Sequence, residues 1–208
     1  LAANPWGEGN AKQVLLSHGG GQTRHSWSAT GERLAAQGWY AVAYDHRGHG
    51  NSQWAPNGNY GGNSFAEDQA ELAKQMNKPV LIGASLGGLS ALMVEGQLAP
   101  GSYSAIVLVD VVPQLSLKGA GRIMQFMAEN VQQGFASLEE AADAIATYTG
   151  RAKRSNLEGL KKNLRLDNGR YYWHWDPKFL QINGAYTGKV DQMMTMTQSI
   201  QCPMLLVR

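Results

Sequence analysis

Cysteine is almost absent from the chain, and neither sign of charge dominates it. Cys202 is the one cysteine among 208 residues, which excludes an internal disulfide and a metal cluster built on thiolates. Eighteen Lys and Arg residues against 16 Asp and Glu leave a formal charge of +2. This balance argues against binding to nucleic acid or to an anionic membrane surface. The apolar runs are also too short to span a bilayer.

Hydrophobic residues make up 43% of the chain and charged residues 16%, which excludes disorder and permits a sizeable core. The length fits one domain, or one domain with a large insertion. The chain opens at Leu1 and closes on an apolar run, 202–207. That run predicts a buried strand with nothing after it to cover it, so we expect a fragment. The opening residues lack a signal-peptide pattern, and a cytoplasmic location is the default expectation; the oligomeric state is left open.

Short apolar runs alternate with helix-like stretches over the first half of the chain. The helix that starts at Ser64 begins with a capping box that ends on Glu67. Nearly unbroken apolar strands separated by helices predict an α/β fold, a mostly parallel sheet with helices on both faces. The predicted strands are 13–17, 39–44, 79–83 and 105–109, and the predicted helices are 26–37, 64–76 and 86–98.

The pattern changes after Asp110. Residues 111–199 carry helical stretches and no predicted strand, and the sheet resumes at 203. The clearest helix covers 138–148 with Ser137 as its N-cap, and a Met-rich helix covers 187–199. A helical insertion between two strands of one sheet predicts a cap or lid. The expected division is therefore a core of 1–110 and 200–208 and a cap of 111–199.

The pentapeptide Gly83-Ala84-Ser85-Leu86-Gly87 carries the strongest chemical signal. It follows a predicted strand and opens a predicted helix, which is the context of a nucleophile elbow. The residues two before and two after the serine must be small in so tight a turn, and both are glycine. The Ser85 hydroxyl is therefore expected above the carboxyl edge of the sheet, where ligands bind in such folds.

The segment His18-Gly19-Gly20-Gly21 follows the first strand directly. Such a loop can point backbone N–H groups at a ligand oxygen, and the N–H of Leu86 supplies a second donor. Gly20 is favoured over Gly21 as the donor, and Gly21 is expected to contact substrate. A phosphate-binding loop is disfavoured because the lysine of a P-loop is missing.

The segment Asp45-His46-Arg47-Gly48-His49-Gly50-Asn51-Ser52 follows the second strand. Its charged residues are expected to brace loops. Two histidines suggest zinc, but a third ligand is not evident, so a structural loop is favoured. We expect neither a metal nor an organic cofactor.

The motifs HGGGQ, DHRGHGNS, GASLGG and IVLVD occur in the order and spacing of the α/β-hydrolase superfamily, which the chain resembles over essentially its whole length. The insertion resembles the cap of the branch of esterases, haloperoxidases and epoxide hydrolases, through 163–165, 169–170 and 173–177. The resemblance implies a hydrolase with a serine nucleophile, a base histidine and an orienting carboxylate. Epoxide hydrolases and haloalkane dehalogenases of this fold carry Asp at the elbow, so Ser85 argues against both activities.

The resemblance also implies that acid and histidine follow the nucleophile along the chain. His174 is the one histidine after Ser85, and packing within the cap is favoured over a role as base. Asp110, at the end of the fourth strand, is a possible acid, although a site-lining or structural carboxylate is favoured. The usual acid and base would then lie beyond Arg208, and the 208 residues by themselves are expected to be poorly active.

Large apolar side chains of the cap could line an acyl or aryl pocket, although each one singly is better explained by packing. Trp173 and His174 join Gly21 as the predicted substrate contacts. The other candidates are Phe126, Phe135, Trp175, Met193, Met194 and Met196.

The leading hypothesis is a serine hydrolase that cleaves a small carboxylic ester or lactone through an acyl-enzyme on Ser85, with a small molecule as its partner. Cofactor-free perhydrolysis (haloperoxidase activity) or C–C bond hydrolysis on the same scaffold is the first alternative. A non-catalytic receptor for a small ligand is the alternative from another class.

Overall fold

A six-stranded sheet forms the centre of the computed structural model, which describes residues 1–61, 63–114, 117–153, 156–181 and 190–208. A separate two-stranded hairpin consists of β6 and β7. The strands are β1 (Ala3–Trp6), β2 (Lys12–Ser17), β3 (Trp39–Tyr44), β4 (Val80–Ala84), β5 (Ala105–Val109), β6 (Leu164–Asp167), β7 (Arg170–Trp173) and β8 (Met204–Val207).

The strand order of the large sheet is β1-β3-β2-β4-β5-β8. β1 pairs antiparallel with β3 at one edge, and the other described pairings are parallel. Leu81 lies opposite Leu15 on one side and Ile106 on the other, and all three are fully buried. Parallel strands bring their carboxyl ends to one edge, so the segments after β2, β3, β4 and β5 meet there. The predicted mostly parallel α/β sheet is confirmed.

Six α-helices are described: α1 (Ser28–Ala36), α2 (Ser64–Ala73), α3 (Leu86–Met93), α4 (Leu117–Glu129), α5 (Leu138–Thr149) and α6 (Val190–Gln198). α3 continues into a π-helical turn over Val94–Leu98, and 3₁₀ turns cover Arg24–Trp27, Glu158–Lys162 and Pro177–Gln181. The Ser137 hydroxyl accepts the N–H of Glu140, so the predicted cap of α5 is confirmed. Among the described residues, no helix has both the length and the apolar character needed to cross a membrane.

The capping box predicted at Ser64 is wrong. Ser64 is the first residue of α2 instead of its N-cap, and its hydroxyl donates to the carbonyl of Gly61 at 2.8 Å. The N–H of Glu67 donates to the carbonyl of Asn63, so the chain before the helix supplies both acceptors. α2 also ends at Ala73, before the predicted 76.

The hairpin corrects the prediction that 111–199 contains no strand. β6 and β7 pair antiparallel, with Leu164 opposite Trp173. Their turn holds Asn168 at φ 47° and Gly169 at φ 77°. Positive φ at both central residues is the geometry of a type I′ turn, which matches the twist of two antiparallel strands.

Two buried clusters divide the packing of the segment between β5 and β8. The hairpin, α4 and α5 pack in one cluster with Leu86, which opens α3 at the carboxyl edge of the sheet. Met193 and Met196 of α6 instead pack in the main core with α3, while Met194 is exposed. α6 therefore packs with the sheet, whereas the preceding elements reach over its carboxyl edge. The prediction for 187–189 lies outside the described residues.

Candidate active site

Ser85 forms the turn between β4 and α3. Its backbone adopts φ 45° and ψ −114°, a conformation that costs a residue with a side chain about 1–3 kcal/mol. Ser85 is exposed, and within the described residues its hydroxyl takes part in no hydrogen bond. A strained backbone that presents an unengaged hydroxyl above the sheet edge is the geometry of a nucleophile elbow.

The glycines on either side of the elbow are required by close backbone contacts. A Cβ on Gly83 would lie 2.6 Å from the backbone nitrogen of Gly88. A Cβ on Gly87 would lie 2.5 Å from the carbonyl oxygen of Ser17 on β2. Both distances are well inside van der Waals contact, so neither position accepts a side chain, as the sequence pattern predicts.

The glycine loop after β2 runs beside the elbow. A Cβ built on Gly19 would lie 3.4 Å from Cβ of Ser85, so the loop lies within contact distance of Ser85. The N–H of Gly19 donates to Oε1 of Gln22 at 3.0 Å. The N–H of Gly19, the first in the loop, is therefore paired within the loop itself.

Two backbone N–H groups beside Ser85 have no hydrogen-bond acceptor within the described part of the chain, those of Gly20 and Leu86. The N–H of Gly21 is engaged, because it donates to Nε2 of His49 at 3.1 Å. Oxyanion donors must be unpaired and fixed before the substrate binds. Gly20 meets this condition and Gly21 does not, which favours the predicted choice of Gly20.

Three fully buried histidines, His18, His46 and His49, lie against this loop. Nδ1 of His18 donates to the carbonyl of Gly19 at 2.8 Å, and its Nε2 accepts the N–H of His46 at 3.1 Å. The rings of His18 and His46 meet edge to face with centroids 4.6 Å apart. No three His, Cys, Asp or Glu side chains in the described ranges are grouped to hold a metal ion.

Burial lowers the pKa of each of these histidines. The pKa of His18 falls to about 4 and that of His49 to about 3, while the pKa of His46 lies well below its ordinary value. Positive charge on one ring further disfavours charge on its neighbours. All three imidazoles are therefore neutral at pH 7, and each ring carries one donor and one acceptor nitrogen.

Asp110 lies at the end of the strand next to the elbow. Ala84 pairs with Val109, so Asp110 follows β5 where Ser85 follows β4. Asp110 has φ 52° and is exposed, and its N–H donates to the carbonyl of Val207 at 2.9 Å. Ser85 and Asp110, which both have positive φ, thus lie at the ends of neighbouring strands. The acid role of Asp110 stays a prediction.

Trp173 is the last residue of β7, and His174 follows it where the hairpin joins the loops of the core. The N–H of His174 donates to the carbonyl of Asn163, and its carbonyl accepts the N–H of Gly50. Trp173 is 8% exposed and packs edge-on against Phe135. No described hydrogen bond or ring contact joins either side chain to the nucleophile, and their predicted substrate contact stays a prediction.

The charged residues after β3 brace loops. Asp45 is fully buried and pairs with the guanidinium of Arg24, and it also accepts the N–H of Asn51 at 2.9 Å. Arg47 and Asp68 form a two-pronged pair with N···O distances of 2.6 and 2.7 Å. These contacts fix the loop that carries His46 and His49.

Sequence reasoning missed a buried polar network beneath the elbow. Nε2 of Gln69 donates to Oγ of Ser17 at 2.9 Å and to the carbonyl of Gly87 at 3.2 Å. Oε1 of Gln69 accepts the hydroxyl of Tyr103 at 3.1 Å. The available signal was a glutamine on the mostly apolar buried face of α2, because a buried amide needs several partners.

Comparison with known proteins places this geometry in a family. The model of the serine aminopeptidase, S33 family matches residues 9–207. The chain belongs to this family. The predicted α/β-hydrolase superfamily and the predicted class of enzyme, a hydrolase, are thereby confirmed.

Named relatives of this S33-family hydrolase include esterases. It is 30% identical to esterase Rv0045c of Mycobacterium tuberculosis over 100% of this chain and 69% of that protein. A solved structure of that esterase matches at a TM-score of 0.77 over 99% of this chain and 70% of the other. An α/β hydrolase from Novosphingobium aromaticivorans matches at a TM-score of 0.82 with 24% identity, over 99% and 75%. A non-heme chloroperoxidase of Streptomyces lividans is 30% identical over 54% of this chain and 41% of its own. The S33-family chain is therefore an esterase-like α/β-hydrolase.

Proposed function

We propose that this hydrolase cleaves a small carboxylic ester or lactone through an acyl-enzyme on Ser85. The observation that carries the proposal is the strained, exposed Ser85 beside the two unpaired N–H groups of Gly20 and Leu86. The likeness to esterase Rv0045c supports an ester over other acyl substrates.

In the proposed reaction Oγ of Ser85 attacks the carbonyl carbon while a histidine base takes the hydroxyl proton. The N–H groups of Gly20 and Leu86 hold the negative oxygen of the tetrahedral intermediate, each contributing about 3 kcal/mol. Collapse expels the alcohol, which takes the proton from the base. Water then attacks the acyl-enzyme by the same route and releases the acid. None of the described histidines hydrogen-bonds to Ser85, so none is assigned as the base.

Phe179 is proposed as a wall of the acyl pocket. A Cβ on Gly20 would lie 3.1 Å from Cζ of Phe179 and 3.9 Å from Cδ2 of Leu86, so both apolar side chains border the proposed oxyanion donors. Phe179 comes from the 3₁₀ turn at 177–181. The cap of 111–199 stays a proposal, and the packing of α6 on α3 supports counting that helix with the core. A cytoplasmic location likewise stays a prediction.

The proposal is tested by hydrolysis of p-nitrophenyl acetate, butyrate and octanoate. Because no described histidine hydrogen-bonds to Ser85, we expect only weak turnover by the chain, and its loss in Ser85→Ala. Ser104→Ala is the matched control, because Ser104 is exposed and precedes β5 at the opposite edge of the sheet. Turnover by the Ser85→Ala variant equal to that of the unchanged chain would overturn the proposal.

Perhydrolysis is a second candidate, favoured by the likeness to a non-heme chloroperoxidase. Here hydrogen peroxide replaces water as the nucleophile toward the acyl-enzyme, so that acetic acid and hydrogen peroxide give peracetic acid and water. Peracetic acid formation that exceeds ester hydrolysis and requires Ser85 would favour this candidate. Hydrolysis without peracid formation would exclude it.

A further inference from the structure

His49 makes two hydrogen bonds that determine which of its ring nitrogens carries the proton. Nδ1 lies 3.0 Å from the carbonyl oxygen of Arg47. A carbonyl oxygen only accepts, so Nδ1 is the protonated nitrogen. Nε2 is then a bare acceptor, and the N–H of Gly21 donates to it at 3.1 Å.

The bond to His49 acts on the glycine loop at the residue after the proposed oxyanion donor. The N–H of Gly19 donates to Gln22, and the carbonyl of Gly19 accepts a hydrogen bond from Nδ1 of His18. Gly21 has φ 78°, and its N–H donates to His49. The peptide groups on both sides of Gly20 are thus fixed by hydrogen bonds, which leaves its own N–H free beside Ser85.

We propose that His49 is a positioning residue of the oxyanion hole, whose bare Nε2 holds the Gly21 N–H and thereby aims the Gly20 N–H at the developing negative charge. This inference rests on the proposed function. It assigns to the second histidine of the DHRGHGNS segment a role in the reaction, although no described hydrogen bond joins its side chain to Ser85.

The surroundings of His49 show why an imidazole is needed there. Its ring is fully buried and packs edge-on to Phe179, with centroids 4.7 Å apart, and 5.4 Å from His18. An apolar ring would fill such a place without the cost of burying polar atoms. Burial also lowers the pKa of His49 to about 3, so Nε2 stays an acceptor at neutral pH.

The test compares His49→Leu with His49→Gln, whose side-chain oxygen can reach the position of Nε2 and accept the same N–H. In His49→Leu we expect kcat for a p-nitrophenyl ester to fall about 10- to 100-fold, less than the roughly 100- to 1000-fold loss of a whole donor. KM should stay within about twofold, and a boronic acid that forms a tetrahedral adduct on serine should bind more weakly in proportion to kcat. His49→Gln should recover most of kcat. His25→Leu, outside the loop, is the control.

Nitrogen NMR on the unchanged protein tests the same hydrogen bond and does not depend on a variant that folds. In a ¹⁵N-labelled sample, a coupling across the hydrogen bond between Gly21 N and His49 Nε2 and the nitrogen shift of a bare Nε2 are expected. A protonated Nε2, or a His49→Leu variant with unchanged kcat, would overturn the inference. A Ser85→Ala variant that keeps its turnover would instead overturn the proposed function and leave the nitrogen spectrum as it is.

Discussion

Acidification from pH 8 to pH 5.5 is expected to destabilise the fold through the three buried histidines. An unfolded histidine with a pKa near 6.5 is about 90% protonated at pH 5.5. In the folded protein the pKa of His18 is about 4, that of His49 about 3, and that of His46 well below 6.5, mainly because the rings are buried. The unfolded chain therefore binds about three more protons than the folded chain at this pH.

The sign follows from these lowered pKa values. Stability is complete above the unfolded pKa and is lost as pH falls below it. Each ring must give up its proton on folding at pH 5.5, at a cost of between 1 and 2 kcal/mol, so together they remove about 4 kcal/mol. The pKa values of His25 and His174 are also lowered, mainly by burial, and act in the same direction. A domain has only about 5–15 kcal/mol to lose.

Urea unfolding followed by tryptophan fluorescence between pH 5.5 and 8 measures this loss, since the chain has six tryptophans. The variant His49→Gln should reduce the number of protons taken up on unfolding near pH 5.5 by about one, whatever it does to stability itself. A loss under about 1 kcal/mol over this range, or an unchanged proton count in the variant, would refute the reasoning.

Three further predictions test the packing around the site. Gly87→Ala should lower the free energy of unfolding by more than about 2 kcal/mol, because its Cβ would meet backbone of Ser17 at 2.5 Å; urea unfolding checks this, and a neutral substitution would contradict it. Gln69→Leu should cost about 2–5 kcal/mol, because the hydroxyl of Tyr103 and the carbonyl of Gly87 lose their buried partner; an unchanged urea midpoint would count against the network. Phe179→Ala should shift the preference among p-nitrophenyl esters toward longer acyl chains, since it removes a wall beside Gly20; an unchanged ranking of kcat/KM for acetate and octanoate esters would exclude Phe179 from the pocket.

The inner strands β2 to β5 could be predicted from the sequence because none of their apolar side chains is exposed. The prediction that the last apolar run is a buried strand is wrong in one respect: β8 forms, but all four of its residues are exposed. β3 and β5 have the predicted bounds, 39–44 and 105–109, since apolar runs between glycine or serine punctuation have no other stable place. The elbow could also be predicted from the sequence. So tight a turn leaves no room for a side chain two residues before or after Ser85, and both of those positions are glycine.

The hairpin and the edge strand were missed for different reasons. The Asn168-Gly169 pair is a strong hairpin signal, but no hairpin was predicted from it. β1 holds Pro5 and is exposed in part, so its short run carries little pattern, although an edge strand tolerates proline.

The histidine contacts could not be read from the sequence at all. His18 and His49 are separated by 30 residues of chain that includes α1 and β3, and only the alignment of parallel strand ends brings them to one loop. Spacing along the chain predicted the glycine loop but not which N–H remains unpaired. That choice depends on hydrogen bonds formed across the fold.

The central claim is that Ser85 is the nucleophile, and covalent trapping tests it most directly. A fluorophosphonate probe should add one phosphonyl group to the chain, and peptide mass spectrometry should place it on Ser85 and on no other serine. Ser85→Ala should remain unlabelled under the same conditions. Labelling at another residue, or equal labelling of the Ser85→Ala variant, would contradict the account.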